Sequence, residues 1–196
     1  MRVILPLLLA LAPALAAAQS AGRLQMTAFG QSLGLTLPFD HAPAPDWQDS
    51  NADSLIAEWV PGGESVTQWT QMLTLTAFRG ASSGPEAYDR GLALLRGNYD
   101  RGCAGAVEMS LGAEISLAGS LGARPVVLTC PQVAGAGFGE AMAALVIRGT
   151  QDLYTLQWAE RFPVDGKGSA RIPSDTWDTR LRHLGTARLC GASASC

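Results

Sequence analysis

The sequence has few of the residue types that bind nucleic acids and metal ions. Lys167 is its only lysine, and it has two histidines among 196 residues. With 14 basic and 17 acidic residues the formal net charge is −3, which does not favour binding to polyanions. A structural zinc site usually contains closely spaced cysteine pairs, and the sequence has no C-x-x-C. We therefore expect no nucleic-acid partner, no metal site and no cofactor.

The sequence also lacks an apolar run long enough to span a membrane. Residues 3–15 form its longest run, which follows Arg2, contains two prolines and leads into the three alanines at 16–18. A membrane-spanning helix needs about 20 apolar residues, whereas this short pattern is typical of a cleavable secretory signal peptide. We predict a signal peptide at residues 1–18 and a single soluble α+β domain, with no membrane span, at 19–196. We expect the mature domain in the bacterial periplasm or outside the cell.

Four cysteines are present, and all of them follow the predicted signal peptide. An even number of cysteines in an exported chain indicates disulfide bonds, and four cysteines allow three pairings. We favour Cys103–Cys130, which would join the end of a helix to a strand. The other bond would then be Cys190–Cys196, which would close a small loop at the C-terminus.

The spacing of apolar residues predicts a mainly antiparallel fold. Residues 70–79 alternate with apolar side chains on both faces, as in a central strand. Helices are predicted from Ser83, where Ser83 and Glu86 match a capping box, and from Ser174. We expect an α+β fold with an antiparallel sheet of about five to seven strands and with its helices packed on one face. The other predicted strands are residues 33–37, 54–60, 107–117, 124–130, 140–148 and 153–162.

Two motifs resemble those of a group of uncharacterised bacterial envelope proteins. Residues 63–74 follow the pattern Gly-Glu-x4-Trp-x2-Met-x-Thr, and residues 149–154 follow Gly-x-x-x-Leu-Tyr. The order of the elements is similar to that of the PsbP-like α+β fold. The resemblance covers about residues 54–162, and it implies a fold but no defined activity.

One short motif suggests catalysis. Residues 80–84 match the Gly-x-Ser-x-Gly nucleophile elbow, so Ser82 with His183 would form the core of a small serine hydrolase. That elbow belongs to a parallel α/β sheet, and the predicted sheet is antiparallel. Our main hypothesis is therefore a non-catalytic exported domain that binds an envelope protein or a small ligand, and the serine hydrolase is the alternative.

Aromatic residues provide the other candidate for a binding site. Of the five tryptophans, Trp47 lies in a segment rich in proline and aspartate, where we expect a loop. Exposed aromatic side chains are common at binding surfaces. We therefore expect Trp47 to line a ligand groove, and the other four tryptophans to belong to the core.

Overall fold

The computed structural model describes residues 22–164, 173–192 and 196, so the predicted signal peptide at residues 1–18 lies outside the described part. Within that part the chain forms ten strands and two helices. In chain order they are β1 (Arg23–Ala28), β2 (Gln31–Thr36), β3 (Trp47–Ser50), β4 (Ser54–Trp59), β5 (Gln71–Phe78), α1 (Ala87–Gly102), β6 (Glu108–Leu111), β7 (Gly122–Cys130), β8 (Phe138–Arg148), β9 (Leu153–Pro163), α2 (Ser174–Leu184) and β10 (Arg188–Gly191). This content confirms the predicted α+β class.

Seven of the strands form one antiparallel sheet, in the order β3-β4-β5-β9-β8-β7-β6. The strand predicted at residues 70–79 is β5, and it lies inside the sheet between β4 and β9. Its side chains alternate between the two faces, with Leu73 and Leu75 on one face and Met72 and Thr74 on the other. Both sets are buried, so each face of the sheet must be covered.

A second, three-stranded sheet covers one of these faces together with α2. It has the order β1-β2-β10 and so joins the first described strand to the last. Its leucines pack against the seven-stranded sheet, as do Leu184 and the half-buried Trp177 of α2. We call this side of the seven-stranded sheet the covered face. Its residues from the central strands, such as Leu75, Leu145 and Leu156, are fully buried.

Helix α1 packs on the opposite side of the seven-stranded sheet, which we call the cleft face. It lies over β7, β8 and β9. Gly91 allows this close approach, because a Cβ atom there would lie 2.5 Å from Cγ1 of Val146. The buried residues of α1, including Leu92 and Leu95, form a second core with side chains of the sheet such as Leu128. Neither helix of the described part packs extensively against β4 or β5.

The structure corrects two details of the predicted helices. The helices do not pack on one face: α1 and α2 lie on opposite faces, because both sides of the sheet carry apolar side chains that need burial. Neither helix has the predicted serine cap. The N-cap residues are Glu86 and Pro173, and neither side chain makes a capping hydrogen bond at the start of its helix.

Both favoured disulfide bonds are present. Cys103 bonds to Cys130, which joins the C-terminal end of α1 to the end of β7. Cys190 of β10 bonds to Cys196. In the described ranges, every helix is too short or too polar to cross a membrane.

Candidate functional site

The cleft face contains a cleft of about 380 Å³ beside α1. Its floor consists of side chains from β4, β5, β9 and β8, and its walls come from the C-terminal half of α1 and the segment that precedes β5. It is lined by Ile56, Glu58, Val66, Trp69, Met72, Thr74, Thr76, Asn98, Tyr99, Gly102, Cys130, Val133, Glu140, Met142, Gln157 and Ala159. Pockets that bind small molecules commonly have volumes of about 300–1,000 Å³.

The floor of the cleft is apolar on one side and polar on the other. Met72, Ala159 and Met142 lie opposite one another on β5, β9 and β8. The next row of the same face has Thr74 opposite Gln157. A ligand in the cleft would therefore contact methionine side chains at one end and hydrogen-bonding side chains at the other.

Glu58 is the exceptional residue of this site. It belongs to β4, where it lies opposite Thr74, and its side chain is half-buried. Within the described residues its carboxyl group makes no hydrogen bond and no ion pair. Burial raises the pKa of the Glu58 carboxyl above its ordinary value of 4.5, and the charge of Glu140 raises it further. A carboxyl group in such surroundings is normally paired, so the position of Glu58 is costly for the protein alone.

A second carboxyl group, that of Glu140, lies deeper in the cleft. Burial raises its pKa above 4.5, although the neighbouring Tyr99 hydroxyl and Arg161 guanidinium act in the opposite direction. Arg161 lies directly across from Glu140 on β9, and its guanidinium carbon is 3.8 Å from the centre of the Trp69 ring. Glu140 therefore has a nearby cation, which Glu58 lacks.

The Tyr99 hydroxyl projects from α1 towards Glu140. The oxygen is buried but has no hydrogen bond of normal geometry within the described residues. Burial raises the pKa of Tyr99 well above its ordinary value of 10, and Glu140 reinforces the shift. The hydroxyl is therefore neutral at physiological pH and is able to donate a hydrogen bond.

Trp47 lies at the edge of this site. It is on β3, directly across from Glu58, so the two side chains share the cleft face. Trp47 is 41% exposed, the highest value of the five tryptophans. The residue that the sequence suggests for a ligand groove is thus next to Glu58, one strand outside the residues that line the cleft.

The residues of the serine hydrolase hypothesis lie apart from the cleft and from each other. Ser82 is 2% exposed in the turn before α1, and its hydroxyl donates a hydrogen bond of 2.6 Å to the carbonyl oxygen of Gly149. His183 lies on α2, with its Nε2 atom 2.9 Å from the carbonyl oxygen of Thr36 and its ring against Trp158 of the covered face. Within the described residues no hydrogen bond joins Ser82 to His183.

The motif around Ser82 has a structural explanation. Asp152 is buried in the turn between β8 and β9 and accepts a hydrogen bond of 2.8 Å from the amide of Gly80. The amide of Ser82 donates to the carbonyl oxygen of Gln151 in the same turn. Gly80 has φ +66°, a left-handed conformation that favours glycine. These residues fasten the β5–α1 turn to the β8–β9 turn.

Comparison with known proteins provides no relative from which a function could be inferred. No protein-family model matches the chain, and no curated protein matches it.

Of the residues at this site, Glu58, Glu140 and Tyr99 were not predicted from the sequence, whereas Trp47, which was predicted to line a groove, lies beside the cleft. Glu58 stands in a strand of otherwise apolar or small residues, between Ala57 and Trp59, and that context was the available signal. Glu140 is the third residue of the mainly apolar strand β8. Their proximity depends on the order and register of four strands, which local patterns do not specify.

Proposed function

We propose that this chain is an exported, non-catalytic domain of the bacterial envelope and that it binds a small ligand in the cleft beside α1. The observation that carries the proposal is Glu58, a half-buried carboxyl group without a hydrogen bond or an ion pair in the described residues. Burial of an unpaired polar group costs free energy unless a partner satisfies it. A bound ligand would provide that partner.

The shape of the site supports a small ligand rather than a flat protein interface. The cleft is bounded on one side by α1 and on another by Val66 and Trp69. Its lining combines methionine and aromatic surface with a few polar groups, a composition common among ligand pockets. Trp47, exposed at the rim, adds an aromatic surface near the entrance.

The surroundings of Ser82 support binding rather than hydrolysis. A serine nucleophile needs a base within hydrogen-bond reach and space for a substrate carbonyl group. The Ser82 hydroxyl is buried and is bonded to a backbone carbonyl oxygen, and His183 donates or accepts elsewhere. We expect a fluorophosphonate probe to leave the purified protein unlabelled. Labelling that disappears in Ser82→Ala would overturn the non-catalytic part of the proposal.

Export is supported by the leader sequence and by the two disulfide bonds. The resemblance to envelope proteins of PsbP-like fold agrees with this assignment. The full chain should be produced in a bacterium, followed by cell fractionation and N-terminal sequencing. We expect the processed protein in the periplasm or the medium, beginning at about Gln19. An unprocessed, reduced cytosolic protein would contradict export.

Ligand binding can be tested with Nile red, a neutral dye that becomes fluorescent in apolar surroundings. Thr76 lies in the cleft, so Thr76→Trp should fill part of it and weaken dye binding. Thr129→Trp is the matched control, because Thr129 is also a half-buried strand residue but points to the opposite face of β7. Dye that binds both variants equally well, or that fails to bind the unmodified protein, would argue against a ligand site in this cleft.

A further inference from the structure

We infer that the ligand is an organic ammonium ion whose charged end lies against Glu58 and whose apolar body lies over Met72 and Met142. This inference rests on the proposed function, because it names the chemical class that the proposed cleft would bind. Three features support it: the charges that face Glu58, the aromatic and sulfur-containing surfaces beside it, and the lack, among the described residues, of a cation that acts on its carboxyl group.

The local balance of charge at Glu58 is negative. Across β4 its neighbours are Thr74 on β5 and Trp47 on β3, neither of which is charged. Asp49 lies two residues from Trp47 on β3 and so belongs to the same face, at the exposed edge. Glu140 is close enough for its charge to act on Glu58. A cation would therefore be attracted from the open side of the cleft.

One cation of the described residues, Arg161, lies along β9 away from the row of Glu58, at the end of the cleft that holds Glu140. Arg161 is four residues from Gln157 along β9, which corresponds to about 13 Å along a strand. Its guanidinium is also 4.4 Å from the centre of the Phe138 ring, which holds it near Glu140. Arg101 on α1 donates a hydrogen bond to the side chain of Asn98. Arg161 therefore offsets the charge of Glu140, whereas no cation of the described residues offsets that of Glu58.

The surfaces beside Glu58 suit an organic cation better than a metal ion. Trp47, directly across from Glu58, offers an exposed aromatic face, which attracts ammonium groups through cation–π interactions. Met72 and Met142 offer flexible, polarisable surface for an alkyl or aromatic body. Among the described residues, no group of three or more His, Cys, Asp and Glu side chains is arranged to hold a metal ion.

Binding of an ammonium ion should release protons. The free protein holds the Glu58 carboxyl partly protonated above pH 4.5, because its pKa is raised. A bound cation stabilises the carboxylate and lowers that pKa. Affinity should therefore increase as the pH rises through the raised pKa of free Glu58, and then become constant. The amine itself, with a pKa of about 10, stays protonated over this range.

Three probes of the same size separate charge from shape: phenylbutylamine, phenylbutanol and phenylbutyrate. We expect the amine to bind most tightly, with an advantage of about tenfold over the neutral alcohol, since the charged hydrogen bond adds to the same apolar contacts. Calorimetry in buffers of different ionisation enthalpy, at a pH close to the raised pKa of free Glu58, should show proton release on binding of the amine only. Glu58→Gln, which preserves size, should remove both the advantage and the proton release.

Glu108→Gln is the matched control, because it makes the same chemical change on the edge strand β6, outside the cleft. It should behave like the unmodified protein. If the amine and the alcohol bind with equal affinity, and both bind more weakly to Thr76→Trp, the cleft is a ligand site but the ammonium inference is wrong. If none of the three probes binds, both the site and the inference are wrong.

An ammonium group can belong to a free amine or to a lysine side chain of a peptide. Two blocked tripeptides, alanine-lysine-alanine and alanine-norleucine-alanine, distinguish these sources. Lysine-dependent binding that is lost in Glu58→Gln would assign the site to a basic side chain. Binding of phenylbutylamine without binding of the lysine peptide would assign it to free amines. Either result supports an ammonium ligand, and a preference for the norleucine peptide would contradict it.

Discussion

The two faces of the seven-stranded sheet are filled differently, although the same strands supply both. On the covered face, β5 and β9 contribute Leu75 and Leu156, which are fully buried against the three-stranded sheet. On the cleft face the same strands contribute Thr74 and Gln157, and β4 contributes Glu58. One face thus stabilises the domain, whereas part of the other retains polar groups that the fold does not need.

Each face also holds an arginine between two aromatic rings, and the partners of these arginines differ. Arg180 of α2, on the covered face, lies between two tryptophan rings and forms an ion pair with Glu160. Burial lowers the pKa of Arg180 to about 10, which still leaves it charged at neutral pH. On the cleft face, Arg161 lies across from Glu140, and no cation in the described part of the chain acts on Glu58. Among the described residues, the carboxylate of Glu160 on the covered face is therefore paired with a cation, whereas that of Glu58 on the cleft face is not.

The largest expected effect is the loss of unfolding free energy when a buried side chain is truncated, and this loss should differ between the two faces. Leu75→Ala should lower the free energy of unfolding by about 3–5 kcal/mol, since it leaves a void enclosed by two sheets. Met142→Ala should cost about 2–3 kcal/mol, because water in the cleft can occupy the space. Denaturant unfolding of both variants measures the difference. Equal losses would show that the cleft face is packed as tightly as the covered face.

The two disulfides allow a second comparison, because each belongs to a different layer. Cys103–Cys130 fastens α1 over the cleft face and spans 27 residues, whereas Cys190–Cys196 spans 6 residues beside the three-stranded sheet. Loop entropy predicts losses of about 3.5 and 2 kcal/mol when both cysteines of each pair are replaced by alanine. Chemical denaturation under non-reducing conditions gives both values. A larger loss of unfolding free energy on removal of Cys190–Cys196 would contradict this prediction.

Some of this comparison was predictable from local sequence. The alternation in β5 predicted an interior strand with two apolar faces, and that prediction is confirmed. In the sequence Trp177, Leu181 and Leu184 recur at helical spacing, which indicates the apolar side of α2 but not the face of the sheet that this side meets. The helices were therefore placed on one face, which is wrong.

The candidate site was less predictable, because distant parts of the chain form it. Trp47 stood out as an aromatic residue in a loop-like segment, although that residue begins the edge strand β3. Glu58 and Glu140 are brought to one cleft by the strand order β4-β5-β9-β8. The three-stranded sheet was missed for the same reason: β10 has only four residues, and it pairs with β2 at the other end of the chain.

A smaller effect is expected where α1 meets the cleft face. Gly91→Ala should destabilise the protein by about 1–3 kcal/mol, because the new methyl group would overlap Val146 and move α1 away from β8. Gly97→Ala is the control in the same helix. Its Cβ atom would meet only the flexible end of Arg101, so it should stabilise the helix by about 0.5–1 kcal/mol. Thermal unfolding of the two variants should therefore shift in opposite directions.

The smallest expected effect concerns Glu140 of the cleft face and the pH dependence of the free energy of unfolding. Burial raises the pKa of Glu140 in the folded protein above the ordinary value of 4.5 that applies to the unfolded chain. The folded state therefore binds the proton more tightly, and its stability falls as the pH rises from 4.5 through the raised pKa. Glu140→Gln cannot lose that proton, so its stability should fall less over the same interval. Parallel unfolding curves across this pH range measure the difference, with Glu108→Gln as the exposed counterpart. If Glu140→Gln showed the same pH dependence as the unmodified protein, Glu140 would be as well solvated as a surface carboxylate, and the contrast between the two faces would then rest on Glu58 alone.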